Sequence, residues 1–303
     1  MVIRLCAIFL LFISNYSYSK ISVNETVYLE GGFESKNAFI NYVVINGIRY
    51  IVKQKKACKK TIISVIRDAL AAYIAKDLGI AHSVEIISPD NDINGKIYQH
   101  CPATLLGIAK GKIIRHLAQD HKFFQLSLQQ RNLNNLDEKI LNKWLNETII
   151  SQITWHKQLP IIIALDLFVC NSDRHRGNLF YDDITDSFCA IDMENIYKRD
   201  LSAFACEKLD EMITVRKKQF TQEELKALTL VKSTLEFLLK NYPSKKIIAQ
   251  FDTYARQLGY VNSRSYFKIT KKMIRIKKMI IESHASTHKL VKMLNDIING
   301  SYQ

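Results

Sequence analysis

The front of the chain alternates short apolar runs with turn signals, a pattern typical of β-strands. Apolar runs at residues 26–29 and 39–45 are separated by a Gly-Gly pair at 31–32, which we expect to break the first strand. An Asn-Gly pair at 46–47 gives a strong two-residue hairpin signal, and the returning strand covers residues 49–53. The sequence therefore predicts a small antiparallel sheet with a glycine-containing turn near its start.

The pattern becomes helical at residues 62–78, where apolar side chains recur at spacings of three and four. Gly79 follows, and glycine is the residue type that commonly ends a helix. Residues 84–87 and 96–98 then predict two more short strands joined by a turn-rich segment. The front of the chain thus contains one helix among its strands.

From about residue 104 onward, almost every segment is predicted to be helical. A polar segment at residues 170–178 interrupts the pattern, and the two apolar runs after it, with a turn between them, predict a hairpin. A strand-rich front and a helical rear predict an α+β fold with two lobes, one with a small antiparallel sheet and one helix, the other mostly helical. The clearest rear helices are predicted at residues 136–152, 159–169, 221–241 and 263–298.

The first 19 residues carry a separate pattern. Arg4 supplies a positive start, residues 5–13 are apolar, and small or polar residues lead to a predicted cut ahead of Lys20. This order is typical of a secretory signal peptide, and the apolar run is short for a membrane span. A buried N-terminal strand or helix is the alternative. We expect a signal peptide at residues 1–19 and a secreted protein.

The formal net charge is +14, from 43 Lys and Arg against 29 Asp and Glu. Such an excess favours anionic partners such as nucleotide phosphates, acidic lipid surfaces or nucleic acid. The chain is also rich in Ile, Asn and Lys, as AT-rich codon usage would give, so charge alone does not decide between these readings. The cysteines form no C-x-x-C pair, which argues against a zinc module or a disulfide framework.

The polar segment at residues 171–178 contains the most informative chemistry in the chain. It reads Asn-Ser-Asp-Arg-His-Arg-Gly-Asn and lies between an apolar helix and an apolar strand. Asp173 is followed five positions later by Asn178, and Asp192 comes fourteen residues after that. Phosphoryl transfer needs one carboxylate to orient the attacking hydroxyl, and an amide and a second carboxylate to hold Mg²⁺. We therefore predict Asp173 as the catalytic carboxylate that orients the hydroxyl and accepts its proton, and Asn178 and Asp192 as metal ligands.

Arg174 and His175 lie within the same segment, and we include both in the predicted catalytic group. Arg174 is expected to pair with a carboxylate or with the transferred phosphate. Histidine as a residue type titrates near neutral pH, so His175 could act as a general base. We favour a role in orienting the loop for His175, with Asp173 acting on the hydroxyl. Asp166, inside an otherwise apolar helix, is expected to brace the loop.

The loop sequence, with Ala-Ile-Asp following at residues 190–192, resembles the atypical kinases grouped around the phosphatidylinositol 3- and 4-kinases and the HipA-like protein kinases. The resemblance spans about residues 27–200 and implies a protein-kinase-like fold that uses ATP and Mg²⁺. It divides the chain into a signal peptide (1–19), a kinase N-lobe (20–104), a C-lobe with the catalytic and metal loops (105–215) and a helical extension of the C-lobe (216–303).

The front half of the chain contains residues at the positions where the family binds the nucleotide. Gly31, Gly32 and Ser35 stand where a glycine-containing phosphate loop would lie, although a Gly-Gly pair is also an ordinary turn. Lys53 ends a strand, as the phosphate-binding lysine does in the family; a solvated lysine is the alternative. Asp68, on the following helix, takes the place where a Glu usually pairs with that lysine. Its shorter side chain would require a closer helix or a bridging water.

A second departure from the family pattern follows Asp192. The next residues are Met193 and Glu194, whereas the family usually has glycine at the second position. This departure argues for a divergent subgroup. Glu194 is a candidate for an additional metal contact or for a surface position.

The resemblance implies a kinase that transfers the γ-phosphate of ATP to a hydroxyl of a phosphoinositide lipid or of a protein Ser/Thr. The alternatives are a catalytically inactive kinase-like binding module and a basic protein that binds membranes or nucleic acid. The basic, amphipathic helix at residues 263–298 makes an acidic membrane surface a candidate partner, and nucleic acid is not expected. Because ATP is scarce outside the cytosol, the signal peptide suggests an effector that acts inside a host cell.

Overall fold

A computed structural model describes most of the 303-residue chain. The described residues are 27–34, 38–55, 58–87, 102–113, 157–171, 173–174, 176–182, 184–198, 222–258 and 267–300. The predicted signal peptide, the strand at 96–98 and the helix at 136–152 lie outside these residues.

Five antiparallel strands form the larger sheet, in the spatial order β1-β2-β3-β5-β4. The Asn-Gly hairpin between β2 and β3 is confirmed. Asn46 and Gly47 have φ values of 52° and 80°, as a two-residue turn with both central residues at positive φ requires. The strands are β1 (Val27–Glu34), β2 (Ala38–Ile45), β3 (Ile48–Lys55), β4 (Val84–Ile87) and β5 (Ala103–Gly107).

The prediction that the glycine pair breaks the first strand is wrong. Gly31 and Gly32 lie within β1, opposite Tyr42 and Asn41 of β2. The register shifts between Leu29 and Gly31, so the strand absorbs an irregularity there and continues. A bulge of this kind lets a strand bend without ending, and glycine accommodates it readily.

Helix α1 (Cys58–Ala75) continues as a 3₁₀ turn over Lys76–Leu78. Gly79, with φ of 66°, ends it in the left-handed region, and its N–H donates to the Lys76 carbonyl. The helix predicted at 62–78 and its glycine stop are therefore confirmed, with an additional turn at the N-terminal end.

A second, three-stranded antiparallel sheet has the order β6-β7-β8. Its strands are β6 (Lys112–Ile113), β7 (Leu179–Asp182) and β8 (Ser187–Ala190), and α2 (Leu159–Val169) precedes β7. The predicted hairpin and the helix at 159–169 are confirmed. The expectation of an almost wholly helical chain beyond 104 is wrong at β5 and β6, because these segments pair with β3, β4 and β7.

Three helices complete the described chain: α3 (Gln222–Asn241), α4 (Ser244–Gln257) and α5 (Phe267–Ile298). The sequence predicted α3 and α5 but not α4. Within the described residues, no helix is both long and apolar enough to span a bilayer.

The main hydrophobic core brings α1 together with the rear helices. Ile66 and Leu70 of α1 belong to the same buried cluster as Leu165 of α2, Val231 of α3 and Ile280 of α5. The larger sheet has a separate small cluster that includes Val43, Val52 and Leu105. The fold is therefore α+β, with small antiparallel sheets and mostly helical content, and its one front helix packs into the rear core.

Candidate active site

The polar loop starts from a sharp end to helix α2. Cys170 takes a left-handed conformation with φ of 49°, and the Asn171 N–H donates to the carbonyl of Asp166 at 2.9 Å. The Asn171 side chain donates to Asp166 Oδ1 at 2.7 Å and accepts from the Asp173 N–H at 3.1 Å. The helix end thereby fixes where the loop begins.

The underside of this helix end rests on α5. Ser283 Oγ donates to the carbonyl of Phe168, and Cys170 Sγ donates to Ser283 Oγ at 3.3 Å. All these contacts are buried. The last turn of α2 is thus held by a helix more than a hundred positions later in the chain.

Arg174 and Asp166 form a fully buried ion pair with two parallel contacts. Arg174 Nε lies 2.9 Å from Asp166 Oδ2, and Nη2 lies 3.1 Å from Oδ1; both side chains have 0% exposure. Two N–H groups facing two carboxylate oxygens give arginine a fixed orientation. Asp166 therefore braces the loop through Arg174 and Asn171.

The remaining Arg174 nitrogen joins the loop to the end of β8. Nη1 donates to the carbonyls of Asn178, at 2.7 Å, and Ile191, at 3.1 Å. The Ile191 N–H also donates to the Asn178 carbonyl at 3.1 Å. These bonds hold Asn178 beside the residue that precedes Asp192, so residues distant in sequence meet at one place.

The side chain of Asn178 is held against the backbone of Asp173. Asn178 Nδ2 donates to the backbone carbonyl of Asp173 at 2.8 Å. Asn178 Oδ1 has no hydrogen-bond partner within the described part of the chain, which leaves this oxygen available to a ligand. Asp173 is half-buried, and one of its carboxylate oxygens, Oδ2, accepts from Asn195 Nδ2 at 2.6 Å.

Asn195 is a site residue that sequence reasoning missed. Its Nδ2 orients the Asp173 carboxylate, and its Oδ1 accepts from Lys198 Nζ at 3.0 Å. No motif spacing marks Asn195. Its position three residues after Asp192, in the turn that follows the predicted metal ligand, is the only sequence signal that could have drawn attention to it.

Lys53 reaches this site from β3. Its Nζ forms a hydrogen-bonded ion pair with Asp192 Oδ1 and a second ion pair with Glu194 Oε2 at 3.2 Å. Burial alone would lower the pKa of Lys53, but the charges of Asp68, Asp192 and Glu194 together outweigh it and raise the pKa. Lys53 therefore stays charged in a cluster of three carboxylates.

Asp68 is buried and does not pair directly with Lys53. Its Oδ1 accepts from the Met193 N–H at 3.1 Å, which ties helix α1 to the loop after Asp192. Burial raises the pKa of Asp68 to about 6; the charge of Lys53 opposes this shift, and Asp192 and Glu194 add to it. The sequence suggested a Lys53–Asp68 pair only with a closer helix or a bridging water. The two side chains form no direct ion pair, and they interact through their charges.

The glycine pair lies near Lys53 in the sheet. Gly32 pairs with Asn41 of β2. Ile40, the residue before Asn41, pairs with Lys53 of β3. Ser35 and His175, which were predicted to act on the nucleotide and in the loop, lie outside the described residues.

Within the described residues, no group of three or more His, Cys, Asp or Glu side chains is arranged to hold a metal by itself. The two predicted metal ligands, Asn178 and Asp192, offer one amide oxygen and one carboxylate. Asp192 adopts a positive φ of 53°, and its side chain is 37% exposed. An amide and one carboxylate suit a magnesium ion whose remaining ligands are phosphates and water.

Among the comparisons with known proteins, the match described below is to a solved structure. No protein-family model matches the chain, and no curated protein matches it. Among solved structures, the chain is similar to the proinflammatory kinase CtkA of Helicobacter pylori, with a TM-score of 0.51 and 11% identity. The match covers 92% of this chain and 98% of that one. At this identity the likeness concerns the fold, which is kinase-like.

Proposed function

We propose that this protein is an ATP- and Mg²⁺-dependent kinase that transfers the γ-phosphate to a hydroxyl group. The observation that carries the proposal is the network built on Arg174. One buried guanidinium holds the loop of Asp173 and Asn178 against the strand end that leads to Asp192. Such a network supports a site in which a carboxylate, an amide oxygen and a second carboxylate would surround one point, as phosphoryl transfer requires.

In this proposal Asp173 orients the attacking hydroxyl and accepts its proton. Asn195 holds Asp173 Oδ2, which leaves Oδ1 to face the substrate. Asn178 Oδ1 and the Asp192 carboxylate would hold magnesium, which neutralises phosphate charge. Arg174 does not touch the substrate, since its guanidinium is engaged by Asp166 and two carbonyls; it is a positioning residue.

Lys53 would contact the nucleotide phosphates, with the backbone of Gly31 and Gly32 alongside. The charges around Lys53 keep it protonated, as a phosphate contact needs. The register that sets Gly32 beside Asn41, and Ile40 beside Lys53, supports this placement. In this proposal the N-lobe and the C-lobe would meet at Lys53.

Within the kinases, we propose a relationship to the phosphatidylinositol 3-/4-kinase and HipA-like group, with a phosphoinositide or a protein Ser/Thr as substrate. Lys198 supports the lipid choice. It is exposed and contacts Asn195, the residue that holds Asp173, so a positive charge lies beside the proposed transfer point. An anionic headgroup would be attracted there.

The test is transfer of radiolabelled γ-phosphate from Mg-ATP to a panel of phosphoinositide vesicles and generic protein substrates. We expect transfer by the wild-type chain and a loss of about 10²- to 10⁴-fold for Asp173→Asn, the range for a lost general base. Asp186→Asn, an exposed aspartate in the β7–β8 turn, is the matched control and should keep full activity. ATP binding without turnover by the wild type would instead favour the inactive binding module.

The proposal includes secretion and an acidic membrane surface as a partner. Secretion rests on the three-part pattern of residues 1–19. The mass of the exported protein should show a new N-terminus at Lys20; detection of only the full-length chain inside producing cells would contradict it. Delivery into a host cell would supply the ATP that the proposed reaction needs.

Helix α5 is the segment proposed to face the membrane. Ile274 and Ile281 on its outer face are 62% and 54% exposed. Lys271, Arg275 and Lys278 are exposed on the same face. Exposed apolar side chains among basic ones suit an anionic bilayer surface.

A further inference from the structure

We propose that Glu194 is the acid that positions Lys53 during the reaction, in place of an acid on helix α1. This inference rests on the proposed function and adds a positioning residue to it. It starts from a conflict at Lys53, whose hydrogen-bonding partner, Asp192, is also the proposed metal ligand.

Asp192 cannot serve both purposes at full strength. A carboxylate that ligates magnesium gives much of its charge to the metal, and the nearby phosphates compete for the lysine. Lys53 then needs another anion to hold its side chain in the cleft. Within the described residues, the anions that interact with Lys53 besides Asp192 are Glu194 and Asp68.

Asp68 is committed to another contact. Its Oδ1 accepts from the Met193 N–H, and it has no ion pair with Lys53. Asp68 therefore anchors the loop between Asp192 and Glu194. Met193 itself is fully buried, and its backbone N–H is held by α1.

Glu194 is delivered to Lys53 by a fixed turn. Its Oε2 lies 3.2 Å from Lys53 Nζ, and its side chain is only 16% exposed. The turn that follows is held at Tyr197, whose N–H donates to the Val169 carbonyl at 2.9 Å and whose carbonyl accepts from Arg67 Nη2 at 3.0 Å. Burial and the charge of Arg275 lower the pKa of Arg67, and the charge of Glu194 opposes this shift.

Relative to the expected pattern, the contact with Lys53 thus moves from the acid on α1 to Glu194 in the metal loop. The acid on α1 holds the metal-loop backbone, and the acid two positions after the metal ligand holds the lysine. This arrangement also fits the lengths of the two side chains. The longer Glu194 reaches Lys53, and the shorter Asp68 accepts from the Met193 N–H.

The experiment measures kcat, the KM for ATP and the Mg²⁺ concentration for half-maximal transfer in full-length variants. We expect Glu194→Gln to lower kcat at least about tenfold, with KM for ATP and the Mg²⁺ midpoint changed less than about threefold. Glu194→Asp, which keeps the charge on a shorter side chain, should recover part of the loss. Asp68→Asn, which keeps an acceptor for Met193, should lower kcat by a smaller factor than Glu194→Gln does. Glu85→Gln, an exposed glutamate on β4, is the matched control.

Three results would overturn the role of Glu194. Glu194→Gln could match the control; Asp68→Asn could cause the larger loss; or Glu194→Gln could shift the Mg²⁺ midpoint at least tenfold, which would make Glu194 a metal ligand. In case Glu194→Gln does not fold, Glu194→Ala, which also removes the charge, is judged by the same criteria. Absence of transfer by both wild type and Glu85→Gln would overturn the proposed function itself, and this role with it.

Discussion

At the scale of single residues, the buried pair of Arg174 and Asp166 decides the shape of the loop. Both side chains are fully buried, so neither charge can turn to water if the other is removed. A broken pair of this kind typically costs about 3–5 kcal/mol, because one charge stays buried without its partner. The importance of Arg174 therefore lies in positioning and in stability.

The first prediction concerns Asp166→Asn. We expect its free energy of unfolding to fall by about 3–5 kcal/mol, measured by urea denaturation. Asp186→Asn, in an exposed turn, should change the free energy by no more than about 0.5 kcal/mol. Equal values for the two variants would show that the pair contributes no more than a surface contact.

His82 provides a pH prediction. Burial lowers the pKa of His82 to about 4, and the charges of Lys53 and Arg174 act in the same direction, while the Ala190 carbonyl and Asp192 oppose them. As pH falls from about 6.5 to about 4, the unfolded chain takes up a proton at this histidine before the folded chain does. The stabilisation present above pH 6.5 is therefore lost progressively through this window.

The matching variant is His82→Asn, which does not titrate. Its midpoint of thermal unfolding should fall less steeply than that of wild type between about pH 6.5 and pH 4. Parallel slopes across this window would show that His82 binds its proton equally in both states.

Sequence reasoning at this scale identified side chains but not all their partners. The spacing of Asp173, Asn178 and Asp192 drew attention to segments whose backbones are tied together through Arg174 and the Asn178 side chain. The contacts of Asn195 with Asp173 and of Glu194 with Lys53 depend on a turn fixed at Tyr197, which has a positive φ of 50°. No propensity rule places such a turn, because tertiary contacts impose it.

At the scale of elements, the three-stranded sheet depends on a close approach at Gly111. Its φ is 85°, and a Cβ there would overlap the backbone of Tyr181 and Asp182 on β7. Glycine is therefore needed both for its conformation and for its lack of a side chain.

We predict that Gly111→Ala destabilises the chain beyond the cost of positive φ alone. Gly47→Ala is the matched control, because Gly47 has a φ of 80° and open space around the position of its Cβ. The free energy of unfolding should fall by about 1–3 kcal/mol more in Gly111→Ala than in Gly47→Ala. If both variants lost the same free energy of unfolding, the backbone of β7 would have to shift away from the added Cβ without an energetic cost.

Elements with strong local signals were predictable, and those made by pairing were not. Helix α2 matched its predicted bounds because its apolar run is long and begins beside Pro160. Strand β5 was misread, since a short apolar run suits either a strand or a buried helix until its partners are known. Strand β6 has two residues and exists only through β7. Helix α4 was missed, although Ile247, Phe251 and Ala255 recur at fours after Pro243.

At the scale of the whole molecule, a kinase-like fold persists at 11% identity to CtkA. The residues that could carry the reaction occupy few positions, and the rest of the chain is free to diverge where it fills a core. This explains how a loop motif could indicate the fold when no family model matches the chain.

The proposed membrane face gives the prediction at this scale. Binding to vesicles that contain anionic lipid should weaken as salt increases, and neutral vesicles should bind poorly. Ile274→Ser with Ile281→Ser should lower anionic-vesicle binding in co-sedimentation. Ile184→Ser removes a 91% exposed isoleucine from the β7–β8 turn and serves as the control. Unchanged binding by the double variant would remove α5 from the contact.

The support of the α2 terminus by Ser283 has a consequence for fragments of this chain. A polypeptide that ends between residues 192 and 283 would carry the complete Asp-Arg-His-Arg-Gly-Asn motif and Asp192. It would lack the Ser283 hydroxyl, which bonds to Phe168 and Cys170. During synthesis, the ribosome must add residue 283 before the contacts of Ser283 with the end of α2 can form. Prematurely terminated products should therefore be inert despite containing every residue proposed to handle phosphate.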